Sequence, residues 1–423
     1  MKSLIQVTLH QPITMFDKSS SWLCCQIGAR EHYALPRALH QAGELTNLIT
    51  DAWISPNSVI NRLPPGWLTN LRERFHPDLA TASVTSFTDS LINFEIAQRI
   101  QKTSGWQRVI TRNNWFQKLA LQSLKAINPK LKSRTILFSY SYAALELFRY
   151  AKSQGWYTIL GQIDPGEVEE KLVLEAHSKY PAYQSSCEAA PPNYWQNWQE
   201  ECLLADKILV NSNWSNQALQ QLGIPEEKIN IIPLAYQPPI EAHNFVRTYP
   251  ANFSVERPLR VLFLGQVILR KGIAALLEAA EILHSEPIEF WIVGSQGIPL
   301  PQYSHSKINW VGAVSRSATA RYYQMADVFI FPTLSDGFGI TQLEAQAWNL
   351  PIIASKFCGE VVKDNINGLI LPEVTASAIA QKLQFCLNNP QKLEALSQKS
   401  TDTAVFNLDK LQHSLQILPY AVS

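Results

Sequence analysis

The segment that most constrains the fold is 328–354, where a strand, a glycine turn, a helix and a second strand follow one another. Val328–Phe331 and Pro351–Ala354 are short apolar runs that predict buried strands. The turn at 336–339 opens directly into the helix between them. A strand, a glycine turn and a helix in this order present backbone N–H groups and the positive end of a helix to a phosphate. The segment therefore predicts an α/β domain with an anion-binding turn.

Two carboxylates flank this turn, Asp336 at its start and Glu344 in the helix. Acids beside a phosphate-binding turn accept hydrogen bonds from the hydroxyls of a ribose or a sugar, which predicts a site for a nucleotide diphosphate sugar. Two plainer interpretations stay open. Asp336-Gly337 is also an ordinary turn pair, and Thr341 with Glu344 fits a capping box with Thr341 as N-cap.

Residues 335–355 resemble the nucleotide-sugar motif of the retaining family-4 glycosyltransferases, which reads acid-Gly-Phe-Gly, four residues, Glu-Ala. Asp336 stands where that family usually has glutamate, and Asn349 stands where it usually has glycine after the helix. The resemblance implies that Asp336 lies beside the donor sugar and that Glu344 holds the ribose hydroxyls. It also implies a donor-binding role for the residues of the turn itself: Gly337, Phe338, Gly339, Ile340 and Thr341.

A second match lies at 265–272, where the family has Gly-Arg, four residues and Lys-Gly, with both cations on the donor diphosphate. Gly265 and Lys271 align with this pattern, Gln266 replaces the arginine, and Arg270 is expected to supply the missing charge. A lysine point charge and an arginine fork both stabilise a departing diphosphate. The plainer alternative is a solvated basic pair at a strand–helix turn.

Two further glycines match family turns near the donor. Gly294 follows a predicted strand and resembles the Val-Gly turn near the nucleotide. Gly28 belongs to Gly28-Ala29-Arg30, which resembles the second half of the family's Gly-Gly-Ala-Glu loop, with Ile27 in place of the first glycine. A helix is predicted over 29–41, with Arg30 and His32 opening it and facing the cleft on its acceptor side.

The acceptor side of the site is expected near Gln162 and Asp164, because related enzymes carry an acceptor-side segment at the end of this strand. Asp164-Pro165-Gly166 is equally a plain turn.

The whole chain alternates short apolar strands with amphipathic helices, which predicts parallel sheets covered on both faces. Its 423 residues favour two domains. We predict an α/β fold of GT-B architecture, as the resemblance implies, with two doubly wound Rossmann-like domains facing a central cleft. The expected boundaries are 1–245 for the acceptor-side domain, 246–395 for the nucleotide-sugar domain, and 396–423 for a helical tail. One arrangement open to this tail is packing back against the first domain. Within these, 236–257 is the expected linker.

Composition excludes several classes. The net charge is +1, from 36 basic and 35 acidic residues, which gives no electrostatic reason for nucleic-acid binding. Six cysteines without a Cys-x-x-Cys spacing indicate reduced thiols and a cytoplasmic location. We expect no signal peptide and no transmembrane segment, and leave peripheral membrane contact open. No Asp-x-Asp triplet occurs and the resembled family is generally metal-independent, so no metal or further cofactor is expected.

The function predicted from the resemblance is retaining transfer of a sugar from a UDP-, GDP- or ADP-sugar to a carbohydrate, lipid or small-molecule acceptor. One alternative is a non-catalytic protein of the same architecture that binds nucleotide or glycan as a scaffold. Another is a nucleotide-sugar epimerase. Dinucleotide oxidoreduction is disfavoured because no Gly-x-Gly-x-x-Gly opens a helix.

Overall fold

A computed structural model describes residues 20–58, 71, 74–127, 134–183, 187–299, 307–399 and 403–420. Within them the chain forms two separate parallel β-sheets, of seven and six strands, each covered by helices. All strand pairs in both sheets are parallel, since every connection crosses over through a helix or a long loop. The predicted two-domain α/β architecture is confirmed.

The first sheet has the strand order β3-β2-β1-β4-β5-β6-β7. The order reverses direction between β1 and β4, so the chain is doubly wound. The central strands are buried on both faces, as their continuous apolar sequence requires. The strands are β1 (Ser20–Gln26), β2 (Leu45–Thr50), β3 (Val84–Ser86), β4 (Arg134–Tyr140), β5 (Tyr157–Gly161), β6 (Lys207–Val210) and β7 (Ile229–Ile231).

Helices cover both faces of this sheet. The long helix at Gly105–Ala126 was not predicted, because polar residues interrupt its apolar face. The helices are α1 (Ala34–Gln41), α2 (Thr88–Ile100), α3 (Gly105–Ala126), α4 (Leu145–Ser153), α5 (Glu167–Lys179), α6 (Pro192–Leu204) and α7 (Asn213–Gln221).

The second sheet has the order β10-β9-β8-β11-β12-β13, again with a reversal, here between β8 and β11. Its strands are β8 (Leu259–Leu264), β9 (Ile288–Val293), β10 (Ile308–Gly312), β11 (Val328–Phe331), β12 (Ile352–Ser355) and β13 (Gly368–Leu371). Its helices are α8 (Ile273–Ile282), α9 (Ala320–Met325), α10 (Thr341–Ala347), α11 (Ala376–Asn388) and α12 (Pro390–Ser397).

The predicted helix over 29–41 is wrong in its first turn. Glu31, His32 and Tyr33 all have positive φ, at 50°, 52° and 60°, so the α-helix begins only at Ala34. These three residues form a left-handed turn that non-glycine residues rarely adopt. Arg30 and His32 therefore lie in a loop at the end of β1 and do not open the helix.

The chain between the sheets is irregular apart from a short turn at Ile240–Ala242. Its Arg247 is buried and donates hydrogen bonds to the main-chain oxygens of Tyr323, Trp348 and Asn349. One side chain thus ties together the ends of α9 and α10. Asn349 has φ of 52°, the left-handed conformation expected of a residue after a helix.

The last described helix, α13 (Leu408–Ile417), packs on the first domain. Its Leu411 and Leu415 join a core with Trp22 and Leu39. The tail therefore runs from the second domain back to the first. None of the described helices is long and apolar enough to cross a membrane.

Candidate active site

A cleft lies between the two sheets, at the carboxyl ends of their strands. It encloses about 460 Å³, and the first domain contributes Arg30, Ile163, Asn211 and Leu234, which follow β1, β5, β6 and β7. This edge, beside the points where strand order reverses, is where doubly wound sheets bind ligands. We call this cavity the donor cleft. The residues of the second domain that line it are Leu264, Gly265, Gln266, Arg270, Lys271, Phe331, Asp336, Phe338, Gly339, Ile340 and Thr341.

Asp336 and Lys271 form an ion pair on the floor of this cleft. Their side chains are 16% and 14% exposed, so the pair is largely removed from water. Burial alone raises the pKa of Asp336, but the charges of Lys271 and Arg270 outweigh it and hold the pKa below its ordinary value. Asp336 is therefore an anion in the cleft.

The second cation, Arg270, is held by the loop that leads into the glycine turn. Its Nη1 donates to the carbonyl of Ser335 at 3.0 Å, and its Nε lies 3.5 Å from a carboxylate oxygen of Glu169 in the first domain. The two adjacent cations both line the cleft, which disfavours a basic pair that is merely solvated.

The glycine turn has no room for side chains at two positions. A Cβ on Gly337 would lie 2.1 Å from the carbonyl oxygen of Ile163 in the first domain. Gly339 has φ of 83°, and a Cβ there would lie 2.5 Å from the Phe331 ring. Phe338, 3% exposed, anchors the turn in a small core. Among the described residues, the N–H groups of Gly339, Ile340 and Thr341 have no acceptor, so the turn offers free donors to the cleft.

The capping-box interpretation of Glu344 is wrong. Helix α10 begins at Thr341 with Ile340 at the N-cap position, and no side chain caps it. The carboxylate of Glu344 instead accepts a hydrogen bond of 2.7 Å from the hydroxyl of Tyr323 on α9. One of its oxygens has no partner in the described part of the chain.

Glu344 lines a second cavity, of about 600 Å³, together with Tyr236, Gln237, Arg316 and Trp348. Arg316 hydrogen-bonds Nδ1 of His32, which lines the donor cleft. Burial and the nearby Arg316 charge lower the pKa of His32 to about 4, so the imidazole is neutral. We call this second cavity the side cavity, and the Arg316–His32 contact links its wall to the wall of the donor cleft.

Contacts between the domains hold the glycine turn from the far side. Ser335 donates to Glu169 at 2.8 Å and accepts from Nε1 of Trp214 at 3.1 Å. Burial raises the pKa of Glu169 to about 7, although Arg270 acts to lower it. The donor turn is thus fixed by two residues of the opposite domain.

Gly28 and Gly294 lie behind the cleft surface. The N–H of Gly28 donates to Asp51 at 2.9 Å, and a Cβ there would lie 2.4 Å from the Arg74 guanidinium. A Cβ on Gly294 would lie 1.7 Å from the carbonyl oxygen of Gly265. Each glycine allows a close approach that shapes a cleft loop, and neither is among the residues that line the cleft.

Of the predicted acceptor-side residues, His32 lines the donor cleft, and the other three divide into two groups. Arg30 and Asp164 line a third cavity, within the first domain. Gln162 is 2% exposed and hydrogen-bonds Trp198 and Tyr142, so it supports this cavity from behind.

Sequence reasoning missed several residues of the site, notably Glu169, Tyr323 and Arg316. They act through contacts between residues that are far apart in the chain, which no local motif announces. In the described residues no group of three or more His, Cys, Asp or Glu is arranged to hold a metal ion.

This architecture defines a class: two doubly wound domains with a cationic cleft and a glycine turn between them. Residues 258–389 match the family described as Glycosyl transferases group 1. The predicted resemblance to group 1 glycosyl transferases is therefore confirmed over the C-terminal domain.

Curated relatives support the assignment. The amylovoran biosynthesis glycosyltransferase AmsK of Erwinia amylovora is 25% identical over 285 residues, covering 62% of this chain and 64% of AmsK. The D-inositol 3-phosphate glycosyltransferase of Xylanimonas cellulosilytica is 28% identical over 195 residues, covering 41% of this chain and 46% of that protein. The chain thus matches less than two thirds of the length of each of these relatives.

Solved structures share the GT-B fold over both domains. Sucrose-phosphate synthase from Thermosynechococcus elongatus superposes with a TM-score of 0.63 at 17% identity, covering 95% of this chain and 98% of that one. Anabaena HepE, solved in complex with UDP, gives a TM-score of 0.59 at 13% identity, covering 95% and 100%.

Proposed function

We propose that the protein is a glycosyltransferase that moves a sugar from a nucleotide diphosphate sugar to an acceptor hydroxyl, with retention at the anomeric carbon. One observation carries the proposal: Lys271, Arg270 and the free N–H groups of the glycine turn converge on one cleft between two domains. Three kinds of donor aimed at one place suit a diphosphate.

The donor is expected to lie along the cleft, with its diphosphate between Lys271, Arg270 and the turn at 339–341. From there the ribose reaches Glu344, whose unpartnered oxygen accepts from its hydroxyls, and the base enters the side cavity. The sugar lies beside Asp336. HepE was solved with UDP, which makes UDP-sugars the first donors to test.

In the transfer step the acceptor oxygen attacks the anomeric carbon on the same face from which the phosphate oxygen departs, as the bond between that carbon and the phosphate oxygen breaks. The acceptor proton passes to the leaving diphosphate, so no protein carboxylate becomes covalently attached. Lys271 and Arg270 stabilise the charge that develops on the leaving group, which is the interaction that speeds such a step.

The Lys271–Asp336 pair has a consequence for donor binding. Lys271 must contact both the carboxylate and the incoming phosphate, because leaving Asp336 buried without a partner would be strongly unfavourable. Asp336 therefore acts as the group that positions the lysine as well as a neighbour of the donor sugar.

The proposal is tested by incubating the protein with UDP-, GDP- and ADP-glucose and following release of the nucleotide diphosphate. Anomeric proton couplings in the NMR spectrum of the first sugar product report its configuration. Retention predicts that the product has the donor's anomeric configuration. The proposal is contradicted if the protein shows neither transfer nor slow hydrolysis with any common sugar nucleotide.

A second candidate is a nucleotide- or glycan-binding protein without catalysis, and the Lys271–Asp336 ion pair is the observation that favours it. A lysine occupied by a carboxylate is less available to a leaving group. This candidate predicts nucleotide binding without turnover, and an Asp336→Ala protein that keeps its biological activity.

A further inference from the structure

The third cavity lies in the first domain, next to the donor cleft. It encloses about 370 Å³ between α3, α6 and the ends of β1 and β4. We call it the aromatic pocket, because its walls include Trp106, Phe116, Tyr140, Tyr142 and Tyr194. Arg30 and Ile163 line both this pocket and the donor cleft. A ligand in the aromatic pocket therefore has an end at the donor site.

Four buried polar atoms on this pocket have no hydrogen-bond partner among the described residues. They are Oε1 of Gln26, Oγ of Ser141 and the Nε atoms of Arg30 and Arg112. Gln26 and Ser141 are only 1% and 4% exposed. Each orphaned atom costs about 1–3 kcal/mol unless a ligand or water satisfies it. The side chains that line the pocket thus include both donors and acceptors without partners.

Two of the three charged side chains that line the pocket already have partners. Arg112 donates to Asp51 at 2.9 Å, and the pocket also contains the carboxylate of Asp164, which accepts from the Tyr142 hydroxyl at 2.5 Å. A phosphate or carboxylate would meet no free cluster of cations here. An alkyl chain would leave the four polar atoms unsatisfied. Aromatic walls with scattered hydrogen-bonding groups instead suit the apolar faces and hydroxyls of a sugar ring.

A second, smaller cavity of about 170 Å³ adjoins the aromatic pocket and shares Asn113, Tyr142 and Tyr194 with it. Tyr142 and Tyr194 stack at 5.1 Å between the two. We call the smaller cavity the amide pocket, after the four asparagines among the residues that line it: Asn113, Asn114, Asn193 and Asn197. Within the described residues, Asn114 and Asn197 make no side-chain hydrogen bond and are exposed.

We propose that the acceptor is an uncharged oligosaccharide whose terminal ring lies in the aromatic pocket and whose next ring lies in the amide pocket. This inference rests on the proposed function. It places the reacting hydroxyl beside Arg30 and Ile163, where the two cavities meet. The sugar hydroxyls then satisfy the orphaned atoms of Gln26 and Ser141, and the ring stacks on the tyrosines.

The test is binding to an immobilised array of mono-, di- and longer saccharides with UDP present, beside flotation with phosphatidylglycerol vesicles. We expect binding to a related set of oligosaccharides, with disaccharides bound more tightly than their terminal monosaccharide, and none to vesicles. Ser141→Ala and Tyr194→Ala should each weaken binding about tenfold or more, while Tyr194→Phe keeps the stacking ring. Asn114→Ala and Asn197→Ala should weaken binding of disaccharides but not of monosaccharides.

The Ser141 hydroxyl bonds nothing in the described protein, so its removal leaves the fold intact. Ser123→Ala on the outer part of α3 is the matched control. The inference is overturned if the protein binds no glycan, or if it binds vesicles alone. It is also overturned if every pocket variant binds glycans as wild type does. UDP affinity is measured for every variant: if wild type fails to bind any nucleotide, it is the proposed function that fails, whereas normal nucleotide binding without glycan binding rejects only the oligosaccharide.

Discussion

Lys271 forms an ion pair with Asp336 across the floor of the donor cleft, joining the loop after β8 to the glycine turn after β11. The carboxylate is the residue at which the chain departs from the family's usual glutamate. The shorter side chain still reaches the lysine because Leu334 N–H bonds the carbonyl of Arg270 at 2.8 Å, which draws the two loops together. The substitution of aspartate for glutamate is therefore compatible with an ordered cationic floor.

Replacement of Lys271 tests the role of this cation. Lys271→Met should lower kcat about 10²–10³-fold, because it removes a charge aimed at the leaving diphosphate. Lys271→Arg keeps the charge and should retain part of the rate. Turnover of the nucleotide sugar at saturation is the measurement, with the exposed Lys363→Met as control. Equal kcat values for Lys271→Met, Lys271→Arg and wild type would exclude a role for Lys271 in the transfer step.

Gly337 is the point where the donor turn touches the first domain. Gly337→Ala places a Cβ only 2.1 Å from the Ile163 carbonyl oxygen, so either the turn or the domain contact must shift. Displacement by about 1 Å of a catalytic group reduces activity on the order of 10²-fold. The measurement is kcat/KM for the donor, and wild-type kcat/KM in this variant would show that the contact has no bearing on function.

The carboxyl of Glu169 predicts a pH dependence of stability. Burial raises its pKa from 4.5 to about 7 in the folded protein. The folded state therefore binds the proton more tightly than the unfolded chain, so the stabilising contribution is complete below pH 4.5 and is lost as the pH rises through about 7. Glu169→Gln keeps the acceptor for Ser335 but cannot titrate.

The free energy of unfolding of wild type should fall as the pH rises over this range. In denaturant titrations of Glu169→Gln, that fall should be smaller by on the order of 1–3 kcal/mol. The pH dependence that remains in this variant comes from Glu31 and Glu201, because burial also raises their pKa values to about 7. Glu175→Gln, exposed on the same helix, is the control. A pH profile unchanged from wild type would show that Glu169 does not hold a proton in the folded state.

Arg247 should prove essential for stability although it lies in the linker. Arg247→Met leaves the carbonyls of Tyr323, Trp348 and Asn349 without their donor, which should cost on the order of 2–4 kcal/mol of unfolding free energy. The partly exposed Arg260→Met should cost much less. Because α9 and α10 carry Tyr323 and Glu344, the Arg247 variant should also bind nucleotide less tightly. Unfolding and nucleotide titrations matching wild type would refute both expectations.

Much of the fold could be predicted because buried parallel strands are continuous apolar runs, such as β11, which has the predicted bounds. The turn at 336–339 and Lys271 were also visible, since they form local patterns. The left-handed turn at Glu31–Tyr33 was not, because three positive φ values in non-glycine residues are imposed by tertiary packing. Glu169 and Tyr323 were equally invisible, since their partners Ser335 and Glu344 are distant in sequence.

The most direct test of the account is a thermal-shift titration of wild type and Glu344→Ala with UDP, GDP, ADP and their common sugar conjugates. We expect one nucleotide family to stabilise wild type, by about 2.7 kcal/mol at 100 times its dissociation constant. We expect a much smaller shift for Glu344→Ala, because the ribose loses its carboxylate partner. No stabilisation of wild type by any of these ligands, or equal stabilisation of both proteins, would contradict a nucleotide-sugar site in the cleft with Glu344 on the ribose.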